Sequence, residues 1–454
     1  MKPVALSEVA RAIDARLHGT DGGERACGAA VDSRVVRGGE LFFALRGRLD
    51  GADFASDACA RGAVAAVADR PLEVPTLVVD DPLGALQELA RWVLRRETSA
   101  TVVGITGTVG KTTTKDALAT ILRSAGRKIT ATEGNLNNEI GLPLTVLNAA
   151  PDTEVLVLEM GATHPGDIAF LCGIARPHVG ILTAISPVHL DSFGSLEKLA
   201  ETKGELARSL PEDGAFVSPV GVPEAAVGEG RSFGLHITFG EDEADLWASG
   251  VEETKEGLRF TIHAGGESAG VHAPVHGTHL VRPLLAATGG ALALGIPLED
   301  CARGLSRLRR TGLRGDLLRL RDDILVYDDS YNASPAAMAA VLRYGAHQAS
   351  SSGRRLVAVL GGMFELGPGA REYHREAGRL AGEVGVDLLV CVGEEARWYA
   401  EGFPGEKIFC ESAGEAAERL PELLQPGDYV LVKGSRGVRL DTLTARLKEI
   451  LSVV

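Results

Sequence analysis

Cysteine is scarce in this chain, and its six residues (Cys27, Cys59, Cys172, Cys301, Cys391 and Cys410) lie far apart, with no C-x-x-C pair. That spacing fits reduced thiols in a cytosolic protein and gives no zinc signature. Positive charge is also short. The formal net charge of -14 argues against a broad nucleic-acid or anionic-membrane surface, so any phosphate site must be a local basic island. No run of about eighteen apolar residues occurs, and no membrane span is expected. The opening "MKPVALSEVARAIDARLHG" reads as a short amphipathic helix and lacks a signal-peptide core. Neither an internal repeat nor a low-complexity tract is present. What remains is a 454-residue chain, 45% hydrophobic and 24% charged, with apolar material for about three domains.

Short apolar runs alternate with helical ones through "ELFFALRG", "AVAAVADR" and "PTLVVDD" to a helix in "LGALQELARWVLRRE". This predicts a small α/β domain over 1–97. "ETSATVVGITG" restarts the chain with a β-branched strand, followed by buried-type strands in "EVLVLEMG" and "HVGILTAIS". Strands alternating with crossover helices predict a central P-loop-type parallel sheet with helices on both faces, over 98–311. Within it, residues 240–275 read as antiparallel hairpins. Four further strand candidates, "ILVYDDS", "RRLVAVLGG", "DLLVCVG" and "DYVLVKGS", predict a Rossmann-like, doubly wound α/β domain over 312–454.

The chemistry-bearing residues fall at the ends of these strands, where open α/β sheets bind ligands. "GTVGKTTT" (107–114) fails the strict pattern G-x-x-x-x-G-K-[ST], because Ile105 stands where glycine is required. Gly107 and Gly110 still permit tight turns, Lys111 offers a point charge and Thr112 a hydroxyl, at the start of a helix whose free N–H groups favour anions. The alternative is a glycine-rich turn that merely starts a helix. Glu159, emerging from a buried-type strand, is expected to meet a cation, with magnesium the candidate and a salt-bridged or capping glutamate the alternative. His189, just past "GILTA", is a metal candidate against a structural histidine, and Asp191 suits a helix cap. Lys203, in "LAETKGELA", reads on residue type alone as a solvated surface charge. "YDDSYNASPAAM" makes a rigid polar turn able to hold a ribose or an amine. Lys433 and Arg436, in "KGSRG", suit a carboxylate or phosphate.

In this order the clusters resemble those of the Mur ligases over nearly the whole chain. The first domain matches at "VDSRVVRGGELFFALRGRLDGADF". The central one matches at "GTVGKTTT", "GNLNNEIGLP", "LEMGATHPGDI" and "HLDSFGS". The last matches at "DDSYNASPAAM", "LGGMFELG", His374 of "REYHREAG" and "VKGSRGVRL". The last strings point to the branch that adds a dipeptide. The sequence departs from the family pattern at Ser334, Leu280, Pro283, Ala184 and Ala52. A folylpolyglutamate-type ligase is the rival within the superfamily, but lacks the separate first domain. A GTPase-like switch would need N-K-x-D, and none of the five asparagines precedes a lysine.

The resemblance implies ATP-driven peptide-bond formation between UDP-N-acetylmuramoyl-tripeptide and D-alanyl-D-alanine through an acyl phosphate. It implies catalytic roles for Lys111, Glu159, His189 and Lys203. Nucleotide contacts would come from Gly107, Thr108, Val109, Gly110, Lys111, Thr112, Thr113, Asn138, Arg314 and Asp329. Substrate contacts would come from Ser33, Arg34, Asp50, Asn332, Lys433, Ser435 and Arg436, the first three in the UDP-sugar segment. Two magnesium ions are implied, near Thr112 and Glu159 and near His189 and a carbamylated Lys203. A cytoplasmic monomer that binds no nucleic acid is the expectation.

Overall fold

The computed structural model describes residues 1–96, 100–186, 193–228, 230–241, 243–254, 256–308 and 315–452. Three large sheets and a two-stranded ribbon (Val4–Ala5 with Arg25–Ala26) organise the described residues. One apolar cluster joins the first unit to one face of the central sheet, a second covers that sheet's other face, and two more cover the faces of the C-terminal sheet. The first large sheet has five strands in the order Arg16–His18, Thr76–Val78, Ala65–Ala68, Glu40–Phe43, Gly28–Ala30, parallel except for the Arg16–His18 edge. Helix Pro82–Arg96 follows, burying Leu86, Leu89, Ala90 and Val93 at helical spacing. The amphipathic helix expected at the N-terminus is shorter than its pattern suggested. It spans only Leu6–Ala12, because Asp14 turns left-handed (φ 51°) and Arg16–His18 then pairs as a strand.

The central sheet has nine strands. Its parallel part runs Leu235–Gly240, Ala215–Pro219, Val179–Leu182, Thr101–Thr106, Val155–Glu159, Ile129–Ala131. Val155–Glu159 and Val179–Leu182 are buried at every position, as strands covered on both faces must be. The hairpin strands Leu246–Thr254, Gly257–Ala264 and Glu267–Ala273 pair antiparallel, as expected. They extend the same sheet, since Phe239 pairs with Leu246 in parallel.

The third sheet has six strands where four were expected. Its order is Asp316–Arg319, Leu325–Asp329, Tyr429–Lys433, Leu356–Gly361, Leu388–Val392, Glu406–Cys410. The two unforeseen strands are the edges. Edge strands are half solvated, so "DLLR" and "EKIFC" carry charges that weaken the apolar signal marking the buried four.

Candidate active site

Strand Thr101–Thr106 delivers the chain into the phosphate loop, and helix Lys111–Ser124 leaves it. Ile105 is fully buried and pairs in register with Glu159 and Ile181, so the position that breaks the strict motif belongs to the sheet core. Gly107 adopts φ 142°, and a Cβ there would fall 2.1 Å from Thr183 Oγ1. Gly110, at φ 83°, is the helix N-cap. The loop is pinned from its neighbour strand. Thr108 N and Oγ1 donate to the Ala184 carbonyl at 3.0 and 3.2 Å, and Thr183 Oγ1 donates to the Val109 carbonyl at 2.6 Å. Lys111 Nζ curls back onto the Gly107 and Thr108 carbonyls at 2.7 and 3.3 Å, a cation held by dipoles of the loop it would serve.

Glu159 ends its strand only 2% exposed. Its carboxylate accepts from Thr112 Oγ1 at 2.7 Å and from Asn137 Nδ2 at 2.8 Å. It is therefore neither a helix cap nor salt-bridged among the described residues: two neutral donors hold it. Thr112 and Glu159 thus bring a hydroxyl and a carboxylate together beside a helix N-terminus. That oxygen set fits magnesium, which is commonly held by one or two carboxylates with substrate phosphates and waters. No group of three or more His, Cys, Asp or Glu side chains able to hold a metal occurs among the described residues. Asn137 was missed in the sequence, where its neighbour Asn138 drew attention. Asn138 Oδ1 accepts from Gly141 N at 2.9 Å and helps start helix Gly141–Leu147. A buried carboxylate needs donors, and the asparagine-rich turn before that helix was the available signal.

Lys203 corrects its solvated-surface reading. On helix Leu196–Ser209 it is 3% exposed, and its ammonium pairs with no carboxylate among the described residues. The Phe193 ring centroid lies 5.9 Å from Nζ. Burial, and then the Lys111 charge, bring its pKa down to about 7 from an ordinary 10.5, while Asp167 and Glu205 oppose the shift. The cap of that helix is Ser195, whose side chain accepts from Lys198 N. His189, Asp191 and Arg314 lie outside the described residues.

Lys433 ends strand Tyr429–Lys433, in register with Asp329 on the adjacent parallel strand. It is 2% exposed, and its Nζ reaches Asp329 Oδ2 at 2.5 Å and the Asn332 carbonyl at 3.0 Å. Ser334 caps helix Pro335–Ser351, a local reason for serine at that family departure. Ser435 Oγ accepts from Phe364 N at 2.9 Å and ties down the "GGMFELG" loop.

A cavity of about 1300 Å³ collects these parts from the central and C-terminal sheets. Thr108, Val109, Gly110, Lys111, Thr112, Thr113, Asn138 and Glu159 line one side, and Asp329, Asn332, Lys433, Ser435 and Arg436 the other. Leu280 and Pro283 also reach it, as do Asp81 and Gln87 from the end of the first unit. Gly107 and Lys203 are not part of the wall, nor are Ser33, Arg34 and Asp50. Ser33 is buried; Arg34 is exposed and pairs with Asp32 at 2.7 Å, holding that carboxyl down to about 2. Asp50 accepts from Ala52 N and pairs with Arg70 at 2.8 Å, which lowers its pKa.

A strand-loop-helix phosphate cradle, an oxygen-ligand pair behind it and a cavity shared with a second α/β unit define a multi-domain nucleotide-using enzyme. Residues 105–291 match the Mur ligase middle domain, 313–436 the Mur ligase glutamate ligase domain, and 28–92 the Mur ligase family catalytic domain. The chain belongs to the Mur ligase family. It is 34% identical over 437 residues to the UDP-N-acetylmuramoyl-tripeptide–D-alanyl-D-alanine ligase of Bacillus subtilis, with 93% of each chain covered. A crystal structure of MurF from Acinetobacter baumannii superposes with TM-score 0.88 at 30% identity, covering 99% of both chains. The MurF ligase of Thermotoga maritima in complex with ADP gives TM-score 0.80 at 31% identity, over 93% of this chain and 97% of that one.

Proposed function

We propose that this chain is the ATP-dependent ligase that joins D-alanyl-D-alanine to UDP-N-acetylmuramoyl-tripeptide in peptidoglycan precursor synthesis. The observation that carries the reading is one shared cavity, with the phosphate loop on one wall and the Lys433–Asp329 pair on the other. Such a site can activate one substrate where the second arrives. The tripeptide carboxylate attacks the γ-phosphate, forming an acyl phosphate and releasing ADP. The dipeptide amine then forms the amide bond as phosphate leaves. The enzyme's contribution is positioning and charge neutralisation.

Lys111 would leave the loop carbonyls for the transferred phosphate, and the N–H groups of Gly110–Thr113 would hold the neighbouring oxygens. Thr112 and Glu159 would hold magnesium, which when bound neutralises phosphate charge. Lys203 has the chemistry for a carbamate: carbon dioxide adds to a neutral amine, and a pKa of about 7 supplies one near neutral pH. The product is an anion with two oxygens, suited with His189 to a second magnesium.

The division of labour follows the sheets: 1–97 for the UDP-sugar through Ser33, Arg34 and Asp50, 98–311 for ATP, and 312–454 for the dipeptide and part of the nucleotide. Asn138, Arg314 and Asp329 complete the nucleotide set, while Asn332, Lys433, Ser435 and Arg436 face the substrates. A monomer in the cytoplasm would carry all of these parts. No helix among the described residues is long and apolar enough to cross a membrane.

ADP release is the test. Release that requires both the UDP-muramoyl-tripeptide and D-alanyl-D-alanine is expected. Equal release when L-glutamate replaces the dipeptide would favour a folylpolyglutamate-type activity, and release with neither acceptor a simple ATPase.

A further inference from the structure

Away from the phosphate loop, the central and C-terminal sheets meet in a buried polar cluster. Glu253 comes from strand Leu246–Thr254, just past a register shift between Ser249 and Glu252 that re-aims the following side chains. Its side chain is 6% exposed and that of His276 4%. Glu253 Oε1 lies 2.9 Å from His276 Nδ1, and Oε2 accepts from Gly277 N at 3.0 Å. Both groups belong to the central unit. The remaining bonds cross to the C-terminal one. Tyr344 of helix Pro335–Ser351 donates its hydroxyl to Glu253 Oε1 at 3.2 Å, and Tyr327 donates to the His276 carbonyl at 3.0 Å. The two tyrosine rings pack at 4.6 Å.

The segment held by this carboxylate runs straight into the cavity. Gly277 adopts φ 114°, and a Cβ there would lie 2.4 Å from the His279 ring. Two residues on, His279 and Leu280 line the cavity, and the His279 ring meets Tyr344 edge-on at 6.1 Å. A buried carboxylate adds little stability over a packed apolar side chain. What it fixes is geometry, through donors aimed from three directions.

We propose that Glu253 is a positioning residue for the nucleotide site: it fixes the turn that carries His279 and Leu280 into the cavity, and Tyr344 completes its bonding across the domain boundary. Nucleotide affinity is thereby coupled to the placement of the C-terminal unit. The inference rests on the nucleotide reading of the cavity.

Calorimetric titration of the full chain with Mg-ADP provides the test, beginning with the unaltered protein, whose failure to bind would refute the nucleotide reading itself. Tyr344→Phe deletes one oxygen and keeps the ring packing. It should raise the ADP Kd roughly three- to tenfold, raise the ATP KM in parallel, and leave kcat at saturating substrates within about twofold. Glu253→Gln, which keeps shape and loses charge, should act in the same direction. Combining Tyr344→Phe with His279→Ala should weaken binding no more than His279→Ala alone, because both act through one segment. Unchanged Kd in the folded Tyr344→Phe and Glu253→Gln proteins would overturn the proposal. So would lowered Tm with unchanged Kd, or additive effects in the double variant.

Discussion

Lys203 and Lys433 are equally buried, at 3% and 2% exposed, and occupy opposite electrostatic situations. Lys433 sits against Asp329 and the Asn332 carbonyl, so its ammonium has an anion and a dipole in reach. Lys203 has an aromatic ring and another cation, Lys111, in its surroundings, and no carboxylate pairs with it among the described residues. A cation taken from water without a partner sheds its proton, and one with a partner becomes part of the scaffold. Burial alone therefore does not reveal a lysine's role; the partner does. In the central unit the buried amine makes no ion pair among the described residues, whereas in the C-terminal unit a paired one shapes a cavity wall.

The largest effect is expected at Lys111, the cation facing both the phosphate site and Lys203. Lys111→Ala should lower ATP turnover by roughly a thousandfold or more with an unchanged circular dichroism spectrum. Turnover within a few-fold of the unaltered enzyme would remove the lysine from the phosphate site. Next comes Lys203→Ala, which should lose most activity and regain part of it with added acetate or formate, small carboxylates able to stand in for carbamate oxygens. Full activity in that variant would make Lys203 a passive residue.

Stability separates the two lysines more finely. The unfolded chain keeps the Lys203 proton up to about pH 10.5, the folded chain only up to about pH 7. Protonation therefore favours the unfolded chain as pH falls through that window, and stability declines with it until it levels off below about 7. Lys203→Met should remove this slope and stabilise the ligand-free protein by about 1–4 kcal/mol at pH 7 while remaining inactive. Lys433→Met strands Asp329 and should cost about 3 kcal/mol. Urea denaturation of both variants at pH 7 and 9 measures the contrast, and shifts of the same sign would break it.

The mildest effect concerns the base. Leu280 and Pro283 line the cavity, and neither side chain can bond a base edge. The ratio of kcat/KM for ATP over GTP should stay below roughly a thousandfold; a larger ratio would show that other groups read the adenine.

Much of this site was legible because strand ends announce it. The run into "GTVGKTTT", Glu159 after "EVLVL" and Lys433 after "DYVLV" all follow from apolar runs that stop at a polar residue. Lys203 was misread because residue type was weighed above position. Leu199, Ala200, Leu206 and Ala207 are buried around it on the same helix, and that spacing already placed it on the inward face. Asn137 and Tyr344 could not be found this way. Their roles depend on which strand lies beside which and on how the C-terminal unit docks, neither of which is a local property of the chain. The edge strands were missed for the reason edges usually are: half solvation dilutes their apolar pattern.

Carbon-13 NMR of the protein with labelled bicarbonate and Mg-ADP sets the two lysines against each other most directly. One carbamate resonance is expected, lost in Lys203→Met and retained in Lys433→Met. A spectrum without a carbamate, or a resonance that survives Lys203→Met, would contradict the assignment of the unpaired lysine as the reactive one.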